Sequence, residues 1–410
     1  MKIVLVHGKY FNSWEALGMG YIGAALRAAL PDADIRFFQG CFDSKEDVLT
    51  AAAGADHLMF SCTSPSYAWC RDIARESKRN SPGTKTSIGG YHASADVARV
   101  ARDKAFDHIV IGEGDAAAVD IVMGLGKPTQ RGQQIDMAAL PMPDRKLIRN
   151  ERNIQVAFIG NGKRITSFQS HRGCPFNCVY CADGAKKTMY QGIRSRPVGH
   201  LLSEMALVTQ AYELDLMKFC DATWNYAKWW VKDFCREKIA RDFTTPFFAN
   251  IHANVCDGEM FDLMAEAGCQ GVGLGVESGS PRILSTIGKG TTRKTISNAR
   301  QLAQQHGIHT RGYFILGMPD ENGSDLAMTE AFAEELDLDE YGFSILCPYP
   351  GTAFYGKDLE GMDWSETDEY ANDFWHTKYL SNPELKDWQA KLVERFGKRM
   401  TWHNTQEAGK

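Results

Sequence analysis

No run of apolar residues in this 410-residue chain is long enough to span a bilayer, so the sequence does not predict a membrane protein. The first residues, MKIVLVHGKY, hold only a short apolar run and lack a small-residue cleavage site, so we expect a first β-strand there rather than a signal peptide. The net charge of −5 provides no broad basic surface for nucleic acid. These absences predict a cytoplasmic protein that binds neither membrane nor nucleic acid.

The sequence also lacks a GxGxxG motif after the first strand, which argues against a nicotinamide or flavin cofactor. It does contain eleven cysteines, which we expect to be reduced in a chain without an export signal. Most of the dispersed ones are expected to pack as small buried hydrophobes. They are Cys41, Cys62, Cys70, Cys220, Cys235, Cys256, Cys269 and Cys347.

The hydrophobic pattern predicts an α/β fold in which strands and helices alternate. Over residues 1–128 this order favours a Rossmann-like, doubly wound parallel sheet. A connector rich in turn formers, residues 129–152, includes Leu140-Pro-Met-Pro-Asp-Arg. The strands expected in the first region are Lys2–Val6, Ile35–Phe38, Ala55–Ser61, Lys85–Gly89 and His108–Ile111, and one of its helices is expected at Ala95–Arg102.

Strand–helix alternation restarts over residues 153–357, where six units predict a partial (β/α)6 barrel. Residues 358–410 are expected to form a short helical tail that acts as a lid or buttress. Its helix carries an apolar stripe formed by Leu385, Trp388, Leu392, Phe396 and Met400. The expected barrel strands are Ile165–Ser170, Leu216–Phe219, Phe247–Ile251, Gly271–Val276, Thr310–Phe314 and Tyr341–Leu346.

Three cysteines lie close together in the stretch Cys174-Pro-Phe-Asn-Cys178-Val-Tyr-Cys181, on a loop after the first barrel strand. Thiolates at this spacing can hold one metal centre. Structural zinc requires a closed set of four ligands, and no second Cys or His pair follows at a suitable spacing. A [4Fe–4S] cluster on three cysteines leaves one iron open for a non-protein ligand. Ligand count therefore favours an iron–sulfur cluster over zinc.

This CxxxCxxC motif, with Tyr180 before its last cysteine, resembles the hallmark of the radical S-adenosylmethionine (SAM) superfamily. The resemblance implies that Cys174, Cys178 and Cys181 bind a [4Fe–4S] cluster and are essential for catalysis. It also implies that the open iron binds SAM and that electron transfer cleaves SAM to a 5′-deoxyadenosyl radical. The resemblance further places Tyr180 beside the cofactors.

Other barrel segments resemble the branch of this superfamily that has an N-terminal B12-binding domain. Phe219-Cys-Asp-Ala-Thr-Trp-Asn225 resembles its FxDDxF variant, although a cysteine replaces the first acid and an asparagine the last aromatic residue. The resemblance implies that residues at several strand ends contact SAM. The alternative for Glu277 is a carboxylate in a salt bridge, and the alternative for Arg311 is a surface ion pair. The implied SAM-binding residues are Asp221, Asn225, Glu277, Arg311 and Gly317.

The first domain resembles the cobalamin-binding domain of the same branch, beginning with its PLGLGYLAAxL-like segment at residues 16–26. The DxHxxG motif that supplies a cobalt ligand in other B12 proteins is absent, and His7 is a weak substitute for it. Tyr67 and Trp69 could face the cobalt or pack at a helix start. The resemblance implies cobalamin contacts from Gly20, Ser61, Thr63, Tyr67, Gly89, Gly90, Gly112, Glu113 and Gly114.

Taken together, the resemblance implies a cobalamin-dependent radical SAM methyltransferase. Such an enzyme uses the 5′-deoxyadenosyl radical and methylcobalamin to methylate an unactivated carbon of a small-molecule or peptide substrate. An external electron donor such as flavodoxin or ferredoxin would be its partner. The alternatives are a cobalamin-dependent cyclase or rearrangement enzyme, a methylthiotransferase-like enzyme with a second cluster on Cys41, Cys62 and Cys70, and a non-catalytic sensor.

Overall fold

A computed structural model describes residues 1–10, 13–181, 189–365, 367–368 and 372–397. Its first region contains a six-stranded sheet. The strands are β1 (Lys2–His7), β2 (Asp34–Gln39), β3 (His57–Ser61), β4 (Lys85–Gly89), β5 (His108–Ile111) and β6 (Thr129–Arg131). The helices are α1 (Leu17–Ala29), α2 (Lys45–Ala52), α3 (Tyr67–Asn80), α4 (Tyr91–Ala95), α5 (Val97–Arg102) and α6 (Asp115–Val122).

This sheet is parallel throughout, in the order β2-β1-β3-β4-β5-β6. Both of its faces are covered. Ile3 and Leu5 of β1 pack into one apolar layer with α1 and α6, and the alternate residues Val4 and Val6 pack into a second layer with α2 and α3. A strand buried on both faces reads as an unbroken apolar run, and the predicted doubly wound domain is confirmed.

Two local features of this region differ from the sequence expectation. Strand β6 lies inside the stretch that was expected to be a connector, and it extends the sheet by one strand beside β5. The helix expected at residues 95–102 begins two residues later as α5, and a separate short helix, α4, precedes it. The chain breaks at Asp96, whose side chain accepts a hydrogen bond from the backbone N–H of Arg99 and caps α5.

The second region contains eight strands and eight α-helices among its described residues. The strands are β7 (Ile165–Phe168), β8 (His171–Arg172), β9 (Arg194–Ser195), β10 (Leu216–Phe219), β11 (Phe247–Ile251), β12 (Cys269–Glu277), β13 (His309–Leu316) and β14 (Glu340–Ile345). The helices are α7 (Glu151–Asn161), α8 (Val198–Tyr212), α9 (Lys228–Ala240), α10 (Gly258–Glu266), α11 (Pro281–Thr286), α12 (Arg293–Gln305), α13 (Gly323–Leu336) and α14 (Asn382–Phe396).

Six of these strands form a parallel sheet in the order β7-β10-β11-β12-β13-β14, which confirms the partial barrel. Its outer face packs into one large apolar core with the helices. Since side chains alternate along a strand, the residues between these core positions face the lumen. Strand β7 is an open edge, and it is covered by the first domain: the backbone N–H of Ser167 donates to Glu15 Oε2 at 2.8 Å.

The helical tail is confirmed as a buttress of the last barrel strand. Leu385 and Leu392 of α14 are buried, and Phe396 packs on Tyr341 of β14 with ring centroids 5.1 Å apart. Met400, expected on the same stripe, lies outside the described residues. No helix in the described part of the chain is both long and apolar enough to cross a membrane.

Candidate cofactor sites and barrel lumen

The three clustered cysteines lie on the loop that leaves β8 at the carboxyl ends of the barrel strands. Cys178 is buried and Cys174 and Cys181 are half-buried. In the described residues no three His, Cys, Asp or Glu side chains gather as ligands of a single metal ion. A [4Fe–4S] cluster takes each cysteine on a different iron, so its ligands surround a volume rather than a point. The donor set of three thiols on one loop therefore fits this cluster.

Asp221 holds the base of this cysteine loop. Its buried carboxylate accepts hydrogen bonds from the Ser170 N–H at 3.0 Å, from the Ser170 hydroxyl at 2.8 Å and from the His171 N–H at 2.6 Å. Burial raises the pKa of Asp221 to about 7, against the lowering effect of these hydrogen bonds. Asp221, which is expected to bind SAM, thus also fixes the start of the cysteine loop to the end of β10.

Asn225, the other expected SAM contact on this segment, is fully buried against protein atoms. Its side chain accepts from the His252 N–H at 2.7 Å and donates to the His252 carbonyl at 3.2 Å. The His252 ring in turn stacks on Phe176 of the cysteine loop, with centroids 3.7 Å apart. Because both amide atoms bond to the backbone of His252, Asn225 supports the loop through that residue, and its contact with SAM stays a prediction.

Glu277 lies at the end of β12, next to the cysteine loop. Tyr180 donates to its carboxylate at 2.9 Å and Lys289 at 2.5 Å. Glu277 has a positive φ of 64°, a conformation that costs a non-glycine residue energy and is common at functional sites. The hydrogen-bonded group Tyr180–Glu277–Lys289 is therefore a preorganised polar surface beside the expected cluster, and the role of Glu277 toward SAM stays a prediction.

Gly317 directly follows β13, at the same end of the barrel as Glu277, and its φ is 90°. Its carbonyl accepts from the Trp375 indole N–H at 2.6 Å, and its own N–H donates to Glu321 at 2.6 Å. A Cβ at Gly317 would lie 3.1 Å from Leu385 and 3.2 Å from Trp375. The glycine therefore allows the C-terminal tail to pack over the strand end, which explains its presence without a cofactor.

A cavity opens at the carboxyl ends of β3, β4 and β5, where a doubly wound domain binds its ligand. Several residues expected to contact cobalamin line it, together with residues of α1 and α6. Two of its glycines have positive φ, and a Cβ on Gly90 or Gly112 would lie 2.6 Å from the Cys62 carbonyl or 2.9 Å from the Met189 carbonyl. The expected residues in the lining are Ser61, Gly89, Gly90, Gly112, Glu113 and Gly114. A narrow cleft walled by small residues fits the nucleotide tail of cobalamin.

Three other residues expected to contact cobalamin lie against protein atoms. Gly20 of α1 packs on the linker, where a Cβ would lie 3.0 Å from Pro143. The Tyr67 hydroxyl donates to Asp103 at 2.6 Å, a placement that favours the packing interpretation. The Thr63 N–H donates to Ser66 Oγ at 2.9 Å in the turn that precedes α3.

His7 and Trp69, which the sequence offers as residues that could face the cobalt, are not part of the cavity lining. His7 lies at the end of β1. Trp69 packs on the apolar layer of α2 and α3.

Arg172 joins the two sites, a relationship that the sequence did not reveal. It precedes Cys174 by two residues, and its buried guanidinium donates to Glu113 at 2.6 Å and to Asp115 at 2.8 Å and 3.1 Å. Arg194 of β9 also pairs with Glu113. Arg172, Glu113 and Asp115 all line the cavity, so the cysteine loop and the cavity share a wall.

Arg311 and Lys218 face the barrel lumen. Arg311 pairs in register with Gly273, whereas Glu277 pairs with Phe314, three residues farther along β13. At about 3.3 Å per residue, the Arg311 backbone lies about 10 Å below the level of Glu277, and the contact of Arg311 with SAM stays a prediction. Lys218 is not among the predicted site residues, and its sequence signal is a cation in the middle of an otherwise apolar strand, Leu216-Met-Lys-Phe219.

Comparisons with known proteins match both halves of the chain. A model of the radical SAM superfamily matches residues 168–333, and a model of the B12-binding domain matches residues 3–122. An uncharacterized methyltransferase of Pyrococcus horikoshii is 26% identical over 83% of this chain and 77% of its own length. The anaerobic magnesium-protoporphyrin IX monomethyl ester cyclase of Rubrivivax gelatinosus is 22% identical over 89% and 72%.

Solved structures share the fold. The radical SAM methyltransferase TsrM of Kitasatospora setae, with tryptophan and a SAM analogue bound, has a TM-score of 0.70 and 17% identity, covering 99% of this chain and 89% of its own. The cobalamin-dependent radical SAM enzyme OxsB, with cobalamin and SAM bound, has a TM-score of 0.67 and 15% identity, over 96% and 61%. The chain therefore belongs to the radical SAM superfamily, and it is a radical SAM enzyme with a B12-binding domain whose cofactors are a [4Fe–4S] cluster, SAM and cobalamin.

Proposed function

We propose that this enzyme methylates an unactivated carbon of a small-molecule substrate that binds in the barrel lumen. The observation that carries the proposal is the wall shared by the two sites: Arg172, beside the cysteine loop, contacts Glu113 and Asp115 in the lining of the cobalamin cavity. A substrate in the lumen would then lie within reach of both cofactors. The methyltransferase names of several relatives support the same function.

In this proposal the protein positions groups rather than reacting itself. Cys174, Cys178 and Cys181 hold the cluster, and Asp221 fixes their loop. Glu277, oriented by its two donors, accepts hydrogen bonds from SAM. When bound, the cluster and SAM supply hydrogen-atom abstraction and cobalamin supplies the methyl group.

The C-terminal tail lies over the end of β13 at the carboxyl side of the barrel. Trp375 lies over Gly317, and Arg99 of α5 donates to the Met362 carbonyl at 3.0 Å, so the tail also contacts the first domain. A closed site protects a carbon radical from side reactions. We propose that this cover is part of the function.

A cyclase is the second candidate, because the Rubrivivax gelatinosus relative that aligns with 89% of this chain carries that name. A cyclase would use the same cofactors but would leave no new methyl group on its product. The two candidates therefore differ in one observable, the fate of the methyl group of SAM.

The test is to purify the enzyme without oxygen, supply cobalamin, reconstitute the cluster, and incubate it with trideuteromethyl-SAM, a reductant and a small-molecule extract. We expect a metabolite that gains one trideuteromethyl group. The Cys178→Ala variant and a cobalamin-free preparation should both fail to form it. A new product without deuterium would favour the cyclase, and two clusters per chain without cobalt would favour the methylthiotransferase-like alternative.

A further inference from the structure

We infer that Ser87 makes the cobalamin cavity selective for the lower base of the corrinoid, the base at the end of its nucleotide tail. The Ser87 hydroxyl donates a hydrogen bond to a ring nitrogen of that base, so a corrinoid whose base has no such nitrogen binds more weakly. The inference goes beyond the proposed function, because it concerns the choice of cofactor and holds whether the product is methylated or cyclised.

Ser87 lies on the floor of the cavity. It pairs in register with Met59 of β3. The next pair on this face of the sheet, Gly89 with Ser61, lies two residues nearer the carboxyl ends of the strands. At about 3.3 Å per residue, Ser87 is therefore about 7 Å deeper than that pair. Both pairs belong to the lining, so the cavity extends past the small residues of its mouth down to Ser87.

The walls around Ser87 are apolar. They are formed by strands β3 and β5 and by helices α1 and α6. The charged residues of the lining, Arg172, Glu113 and Asp115, lie beyond the strand ends and contact one another. A flat, apolar group fits between walls of this kind. The apolar residues in the lining include Met19, Ile22, Met59, Val110, Ala118 and Ile121.

The Ser87 hydroxyl is buried and has no hydrogen-bond partner, unlike the other hydroxyls of the same segment. Thr84 donates to the Ala55 carbonyl at 2.8 Å, and Thr86 donates to the Ala105 carbonyl at 3.0 Å. Within the described part of the lining, no other side-chain nitrogen or oxygen is both buried and unpartnered. Since buried polar groups are normally hydrogen-bonded, Ser87 has a donor available for the group that fills the cavity.

A water molecule is a poor partner for this hydroxyl. Buried waters make about three hydrogen bonds, and the described side chains at the depth of Ser87 offer no second polar group. The nucleotide tail supplies a better one, because its base is flat and largely apolar and carries a ring nitrogen that accepts a hydrogen bond. In cobalamin this base is 5,6-dimethylbenzimidazole, and its nitrogen can accept from Ser87 when it does not ligate the cobalt.

The test compares two corrinoids on the full-length enzyme with its cluster reconstituted. Cobalamin carries the acceptor nitrogen, whereas p-cresolylcobamide carries a phenol-derived base without a ring nitrogen. Absorbance titration in the absence of oxygen gives a dissociation constant for each. Ser87→Ala removes only the hydroxyl. Ser77→Ala is the matched control, because Ser77 of α3 also has a buried hydroxyl without a partner but does not line the cavity.

The two corrinoids differ in the size of the base and in cobalt ligation, but these differences are the same for every variant. The change in the ratio of the two dissociation constants therefore reports the hydroxyl alone. We expect Ser87→Ala to reduce the preference for cobalamin over p-cresolylcobamide about tenfold, which corresponds to about 1.4 kcal/mol. Ser77→Ala should leave both the ratio and the iron content unchanged.

An unchanged ratio in Ser87→Ala, an equal change in Ser77→Ala, or failure of the enzyme to bind either corrinoid would each overturn the inference. The outcome is separate from that of the proposed function, because only binding is measured. Methylation can fail while the ratio shifts as expected, and the ratio can stay constant in an enzyme that methylates.

Discussion

The Arg172 guanidinium donates to Glu113 at 2.6 Å, and both side chains are buried where the cysteine loop meets the cobalamin cavity. Removing one partner of a buried ion pair leaves the other charge without compensation, which costs about 3–5 kcal/mol. The ion pair therefore fixes the start of the cysteine loop to the wall of the cobalamin cavity.

Arg172→Met should accordingly weaken hydroxocobalamin binding by tenfold or more and reduce the iron retained after reconstitution. The reason is that Asp115 loses its guanidinium partner and Glu113 keeps only Arg194 in the cavity wall. Equilibrium dialysis and iron analysis measure the two effects. Arg236→Met is the matched control, because it removes an ion pair with Glu259 in which both side chains are exposed. It should change neither the cobalamin affinity nor the iron content. Normal cobalamin affinity in Arg172→Met would contradict the expectation.

Replacement of any one of the three clustered cysteines by alanine should abolish both the cluster spectrum and the reductive cleavage of SAM. The open iron exists only when three thiolates hold the other irons. Cys235→Ala is the control, because that thiol is buried in the outer core of the barrel and faces no cofactor site. Formation of 5′-deoxyadenosine by a Cys174, Cys178 or Cys181 variant would refute the assignment.

Gly112→Ala should lower cobalamin affinity while leaving cluster content near normal. The added Cβ would meet the Met189 carbonyl at 2.9 Å, and the φ of 82° is unfavourable for alanine. Gly83→Ala is matched to it, since Gly83 lies in the same domain with no atom within 4 Å of the new Cβ. Absorbance titration with hydroxocobalamin distinguishes the variants, and equal affinities would show that the cavity binds something else.

Glu277→Gln should raise the dissociation constant for SAM more than Tyr180→Phe does. The first change removes the carboxylate charge that faces buried Lys289, and the second removes only one hydrogen bond to it. Isothermal titration of the reconstituted protein gives both constants. If Tyr180→Phe were the more damaging change, the carboxylate would not be the group that binds SAM.

Stability of the first domain should fall as the pH drops below about 6.5. Burial, with a smaller effect of Arg99, lowers the pKa of His92 from 6.5 to about 3. The unfolded chain therefore binds a proton between these values that the folded chain does not, and stability is lost as the pH falls. Between pH 7 and pH 5 this amounts to about 2 kcal/mol. His92→Gln should reduce the dependence of the unfolding midpoint on pH over this range, and His7, whose pKa burial lowers to about 4, contributes to the rest of the slope. An unchanged slope would contradict the assignment.

The strands and helices could be predicted because hydrophobic periodicity directly reflects burial. The bounds of β4, β5, β10 and β11 were reached from the sequence alone. The short strands β8 and β9 could not be predicted, because a strand of two residues shows no periodicity. Three turn formers near residue 140 suggested a linker, yet the sheet continues through β6.

The site was predictable where chemistry depends on spacing within one loop, as for the three cysteines. The site was less predictable where a side chain contacts a residue far away in the sequence. Asp221 and Asn225 sit at the expected strand end, but their hydrogen-bond partners come from residues 170, 171 and 252. A motif specifies where a residue lies on a strand and leaves open which neighbour reaches it.

The loop after β1 supplies Glu15 to the open edge of β7 and places the Trp14 ring 5.6 Å from Lys218 Nζ. A barrel whose missing side is completed by another domain cannot be exchanged between proteins as a separate module. Mutations in this loop would therefore act on the edge of the barrel from a segment that belongs to neither the radical-generating strands nor the cobalamin cavity. Grafting that loop between relatives is thus a route to altered specificity.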